Sequence, residues 1–148
     1  MNQIDQTKGL LMDPRKGNHY KFLFIGDRKK LGDVELVKKF VGELIPAIRM
    51  TLLGEVHAYS VPIELAKASL ECEEDEGGVT CVGVLSTSHV AIHTWPERSY
   101  AVLDVYSCRE FDSDTVLWRT MATFAVRHNQ IFVSNLSNAL RPPFDLVE

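Results

Sequence analysis

Residues 19–26, HYKFLFIG, alternate polar with apolar and aromatic positions, which predicts a strand. Asp27 to Lys30 turns the chain, and Asp33 caps a helix whose apolar positions Val34, Val37, Val41, Leu44, Ile45 and Ile48 follow helical spacing; Pro46 kinks or ends it. A second strand is predicted over 51–61. Residues 64–79, ELAKASLECEEDEGGV, read as a short helix or a long acidic loop closing at Gly77-Gly78. The stretch 80–85 is almost continuously apolar, which predicts a strand covered on both faces. Residues 90–95 and 100–107 predict a hairpin turning through Pro96-Glu97-Arg98-Ser99. An amphipathic helix over 113–128, capped by Asp112 or Ser113, leads to a last strand over 130–136, and Pro142-Pro143 ends the ordered part.

The order β-α-β-β-β-β-α-β predicts an α+β fold: a two-layer α/β sandwich with a mostly antiparallel sheet and two helices on one face. Residues 1–16 are expected to be a flexible leader, and 17–148 a single domain. Alternation assigns Ala101, Leu103, Val105, Ser107, Val90 and Ile92 to the face under the helices. The other face carries Tyr100, Val102, Asp104, Tyr106 and Cys108 with His89, His93 and Trp95. That second face is too aromatic for plain solvent, and no helix remains to cover it. A second copy packing sheet to sheet, in a homodimer, is the expected cover, with a pocket near the interface.

Composition narrows the class. A chain of 148 residues suits one domain, and a net charge of -4 leaves no broad basic surface for nucleic acid. No apolar run approaches the ~20 residues of a membrane span, and the polar opening is no secretory signal. Cys72, Cys81 and Cys108 form an odd set without CxxC spacing, which suits reduced thiols and a cytoplasmic location.

The densest chemistry lies in LSTSHVAIHTWPE, residues 85–97. His89 and His93 invite a metal reading, but residues four apart on a strand lie ~13 Å apart along the chain, so no metal is expected without a bend. The histidines also fit a core or interface role, with Ser86 and Ser88 marking a turn. A third reading is nucleophilic. There is no GxSxG elbow, but a serine at a strained bond can attack the preceding carbonyl. The resulting ester can eliminate and hydrolyse to an N-terminal pyruvoyl group.

The stretch STSHVAIHTWPERSYAVLDVYSC resembles the self-processing core of the small prokaryotic S-adenosylmethionine decarboxylases. Their pattern is approximately S-E-S-H-x-x-I-H-T-[WY]-P-E followed by Y-A-x-x-D-x-[FY]-x-C. The likeness extends more weakly through GNHYKFLFIGDRKKLGD, EVHAYSV and GGVTCVGVLS, over about residues 17–136. It implies cleavage between Thr87 and Ser88, with Ser88 becoming the pyruvoyl cofactor that holds the substrate amine as a Schiff base. It also implies that His93 and Thr80 assist processing, that Cys108 donates a proton to the decarboxylated carbon, and that Glu97 and Tyr59 lie near the substrate. His89 and Trp95, beside them on the same face, are expected there too. Cys108 is expected to matter for turnover and little for cleavage. Because Ser88 and His93 have opposite strand parity, a break in the strand is expected near 86–89.

Two departures bear on substrate. Thr87 stands where the pattern has glutamate, and ECEEDE at 71–76 is an acidic insertion that could steer a cationic amino acid. The expected function is pyruvoyl-dependent decarboxylation of S-adenosylmethionine for spermidine synthesis. The alternatives are an arginine or ornithine decarboxylase of the same kind, or an uncleaved homologue without catalysis.

Overall fold

In the computed structural model, which describes residues 18–65 and 77–137, six strands form one sheet. They are β1 (Asn18–Ile25), β2 (His57–Val61), β3 (Gly78–Leu85), β4 (Ser88–Trp95), β5 (Tyr100–Ser107) and β6 (Ile131–Asn135). Their order is β2-β3-β4-β5-β1-β6, and every pairing is antiparallel. The predicted leader, the acidic stretch 71–76 with Cys72, and the Pro142-Pro143 end lie outside the described residues.

The helices are α1 (Arg28–Leu31), α2 (Val34–Ala47) and α3 (Ser113–Phe124). Asp27, Asp33 and Asp112 each accept a backbone N–H from the first turn of their helix, Asp33 and Asp112 as the sequence reading had it and Asp27 at the start of a one-turn helix inside the predicted turn. Pro46 sits in the last turn of α2, whose end it marks. One core joins the helices to one face of the sheet. Phe22 and Phe24, Val90 and Ile92, and Leu103 and Val105 meet Val37, Val41, Leu44 and Ile45 of α2 and Val116 and Phe124 of α3. Phe124 packs against Phe24 and Phe40, with ring centroids 5.6 and 4.9 Å away. At Gly83 a Cβ would come within 2.7 Å of the Ile45 side chain, so glycine lets α2 settle onto β3.

Among the described residues nothing covers the opposite face. In register across it run Tyr59, Thr80, His93, Val102, Leu23 and Phe132. Tyr59 and Phe132 are 62% and 67% exposed.

Four expectations are corrected. The strand predicted over 51–61 is paired only from His57, because Gly54 turns the chain at φ 68°; Leu52 keeps a single bridge to Leu85. The predicted 113–128 helix stops at Phe124, where Ala125 adopts the left-handed conformation at φ 53°. β3 is buried on its helix side only; Val84 on the other side is 48% exposed. Finally, no break separates Ser88 from His93. A tight turn at Ser86-Thr87 closes the β3–β4 hairpin, Leu85 pairs with Ser88, and β4 runs regularly from there.

Candidate active site

The hairpin turn at Ser86-Thr87 lies beside the end of β5. Ser107, the last residue of β5, is fully buried, and its hydroxyl oxygen accepts the Arg109 N–H at 2.9 Å. That bond turns the chain so that Cys108 faces the hairpin. The Cys108 N–H donates to Ser88 Oγ (3.3 Å), and its thiol donates to the Thr87 carbonyl oxygen (3.3 Å). Thr87 Oγ1 and Ser88 Oγ are 3.4 Å apart. One residue thus supplies a donor to each oxygen that matters for an attack by Ser88 on the preceding carbonyl. A thiol donating to that carbonyl polarises it and stabilises negative charge developing on its oxygen. The leading edge of this arrangement is open, since Cys108 is only partly buried.

A second group lies further along the uncovered face. Thr80 Oγ1 meets His93 Nδ1 at 3.1 Å across the β3–β4 pair, and Tyr59 is the β2 partner of Thr80. These three predicted residues therefore come together, but apart from Ser88. His93 stands five positions beyond Ser88 along a regular strand, and their parity is opposite.

Trp95 and Glu97 lie at the far end of β4. Trp95 stacks on Tyr100 (5.6 Å, 26°), and Glu97, in the turn after the strand, forms an ion pair with Arg28 of α1. His89 takes another direction from His93: its Nε2 lies 2.9 Å from Asp104. The two histidines therefore diverge to separate partners. Among the described residues no three His, Cys, Asp or Glu side chains gather as a metal site.

Sequence reasoning placed Asp104 on this face but missed its other partner. His19 Nε2 lies 2.6 Å from Asp104 Oδ1, so one carboxylate joins β1, β4 and β5. Burial pushes the Asp104 pKa up, but hydrogen bonds from His89 and His19 outweigh it and hold the carboxyl below its usual range. The alternation of His19 with Lys21 and Leu23 carried the clue. The β1–β5 pairing that makes it meaningful is long-range and leaves no local signal. Cys81 is a different thiol: it is buried on the helix side, and burial pushes its pKa to about 11.

Comparison with known proteins identifies the family and the fold. Residues 23–135 match the family described as S-adenosylmethionine decarboxylase. An S-adenosylmethionine decarboxylase proenzyme of Methanococcus maripaludis is 64% identical over 65 residues, which cover 44% of this chain and 51% of that protein. An arginine decarboxylase proenzyme of Hyperthermus butylicus is 37% identical over 93 residues, covering 62% and 57%. The S-adenosylmethionine decarboxylase proenzyme of Pyrococcus abyssi is 33% identical over 95 residues, covering 64% and 58%. The matched stretch thus spans a little over half of each relative. The crystal structure of the adenosylmethionine decarboxylase from Aquifex aeolicus shares the fold, with a TM-score of 0.62 at 20% identity over 88% of this chain and 97% of that one. With a match over residues 23–135, the chain belongs to the S-adenosylmethionine decarboxylase family.

Proposed function

We propose that this protein cleaves itself between Thr87 and Ser88 to make a pyruvoyl group from Ser88, and then decarboxylates S-adenosylmethionine, supplying spermidine synthesis. The observation that carries this is the double hold of Cys108 on the bond: its N–H on Ser88 Oγ and its thiol on the Thr87 carbonyl oxygen, each at 3.3 Å. Ser88 Oγ attacks the Thr87 carbonyl carbon, and the C–N bond breaks to leave an ester and a free amine. Loss of the Ser88 Cα proton expels the Thr87 carboxylate. Tautomerisation and addition of water to the unsaturated residue then release ammonia and leave the ketone.

The residues around the bond fit this group: a serine, a donor on its oxygen, and a donor on the carbonyl. The pyruvoyl carbonyl supplies an electron sink for loss of CO2 from an amino-acid substrate. The chain's own residues do the rest. Cys108 delivers the proton to the carbon that lost CO2. Thr80 and His93 form a hydroxyl–imidazole pair suited to removing the Ser88 proton, but in one chain they stand off from it along β4. In a homodimer joined through the uncovered faces, the Thr80–His93 pair of a second copy lies over this face. Tyr59, His89 and Trp95 then line the space between the sheets, and Glu97 lies at its rim.

A specific observation keeps a second substrate in view. Thr87 brings a hydroxyl where the family pattern has a carboxylate, and one similar protein is named an arginine decarboxylase proenzyme. Intact-mass measurement of the purified protein tests the processing. Two fragments meeting at Thr87/Ser88, the second lacking a free amine, are expected; a single uncleaved chain overturns the proposal. Release of labelled CO2 from S-adenosylmethionine, arginine and ornithine then assigns the substrate, with S-adenosylmethionine expected to be turned over fastest.

A further inference from the structure

Tyr106 stands at the centre of a row of three rings. In the sheet register it is the direct partner of His89 on β4 and of His19 on β1. The His89 ring lies nearly parallel to it (5.8 Å, 28°), and the His19 ring stands edge-on (5.8 Å, 88°). Both imidazoles are tied to the same neighbour, Asp104, at 2.9 and 2.6 Å through Nε2. An ionised carboxylate only accepts, so each ring presents an Nε2–H to it, which fixes both tautomer and tilt. With its flanks occupied, the phenol reaches along β5 to Cys108, its oxygen 3.9 Å from Sγ. A continuous run results: Tyr106 O–H to Cys108 sulfur, and the Cys108 S–H to the Thr87 carbonyl.

We propose that Tyr106 is a positioning residue for the Cys108 thiol, and that Asp104, acting through His89 and His19, holds the phenol in place. This rests on the reading of Thr87–Ser88 as the processed bond. Before cleavage, a donor on the sulfur makes the S–H a stronger donor to the Thr87 carbonyl, because hydrogen bonds in a chain polarise one another. When the thiol later gives up its proton, the sulfur keeps the electron pair. Tyr106 then donates a hydrogen bond to the thiolate while its proton stays on oxygen. The phenol is suited to that, since the hydrogen bond to Cys108, followed by burial, raises its pKa. The titratable groups facing this ring are His89 from β4, His19 from β1, and Asp104 and Cys108 from its own strand. Lys21 lies opposite Asp104 in register. The family pattern allows phenylalanine or tyrosine at this position, so the hydroxyl is the feature under test and the ring is not.

The experiment follows the pH dependence of Cys108 alkylation by iodoacetamide, read by peptide mass, in the full chain carrying Ser88→Ala. Every form is then uncleaved. Tyr106→Phe is expected to react about tenfold more slowly near neutral pH and to catch up at high pH, as loss of a hydrogen bond to a charged sulfur requires. Asp104→Asn is expected to move the same way by a smaller factor. Without Ser88→Ala, Tyr106→Phe is expected to cleave several-fold more slowly. An alkylation profile in Tyr106→Phe that matches the parent overturns the proposal, as does a rate lowered equally at every pH, which marks a merely structural effect. If Tyr106→Phe fails to fold, the Asp104→Asn profile decides alone. Failure of the processing reading looks different: the chain with Ser88 intact stays uncut whatever the alkylation profiles do.

Discussion

The Cys108 thiol lies 3.3 Å from the carbonyl oxygen of Thr87, twenty-one residues earlier in the chain. On the proposed function that contact predicts a part for Cys108 in cleavage as well as in turnover, where the sequence alone suggested turnover only. Cys108→Ala removes the donor to the carbonyl, at a cost of about 1 kcal/mol in a typical case, or about fivefold in rate. Cleavage of Cys108→Ala, followed by gel or mass over time, is expected to slow by about that factor. Decarboxylation by the cleaved fraction should fall much further, because the proposed proton donor is gone. Cleavage at the parent rate would remove the thiol from the processing step.

Ser88→Ala lacks the attacking hydroxyl, so intact mass should report one chain and no CO2 release. Thermal unfolding should stay close to the parent, since the Ser88 hydroxyl makes only two long hydrogen bonds, 3.3 and 3.4 Å, at the edge of β4.

The Asp104 carboxyl is held below its usual range, so its contribution to stability is fully present above the ordinary aspartate value of about 3.9. It drains away as pH falls through the lower folded value. Urea midpoints measured from pH 6 down to pH 3 should show Asp104→Asn less stable than the parent at the upper end. The gap should narrow toward the acid end; a constant gap would show that the bonds from His19 and His89 do not depend on the charge.

Phe124 fills the space between Phe24 and Phe40 and is fully buried. Truncation to alanine opens a cavity that rigid strands cannot close, and should cost about 3–5 kcal/mol in chemical unfolding. A loss under 1 kcal/mol would mean that α3 repacks.

The uncovered face predicts a two-copy assembly. Leu23 and Phe132 are register partners on it, Phe132 being 67% exposed. Sedimentation should give a dimer mass for the parent, and Leu23→Asp with Phe132→Asp should give a monomer that keeps its circular dichroism spectrum. A parent that sediments as a monomer at micromolar concentration would rule the assembly out.

Much of this was legible in the sequence, for identifiable reasons. The period-two alternation in 100–107 assigned each side chain to its face, and the observed burial alternates residue by residue. The aspartate caps placed the starts of α2 and α3, whereas the one turn of α1 after Asp27 was read as a plain turn. Boundaries set by left-handed backbone were not legible: Ala125 ends α3 at φ 53° without any glycine or proline to announce it. The hairpin at Ser86-Thr87 was half legible. Its hydroxyl-rich residues signalled a turn, but the register that makes Ser88 the first strand residue depends on pairing with Leu85, a partner fixed by the packing of β3. The Asp104 cluster needed β1 beside β5, a neighbour more than eighty residues away in the chain.

The strand order has one more consequence. A cut after Thr87 would leave β1, β2 and β3 on one piece and β4, β5 and β6 on the other, yet β1 is threaded between β5 and β6. The two pieces would share three of the five seams of the sheet, and neither holds a complete half of the core. Severing the backbone there frees a new chain end for chemistry without freeing either fragment to leave. Cut at this exposed hairpin, the protein would remain mechanically one object, interlaced strand by strand.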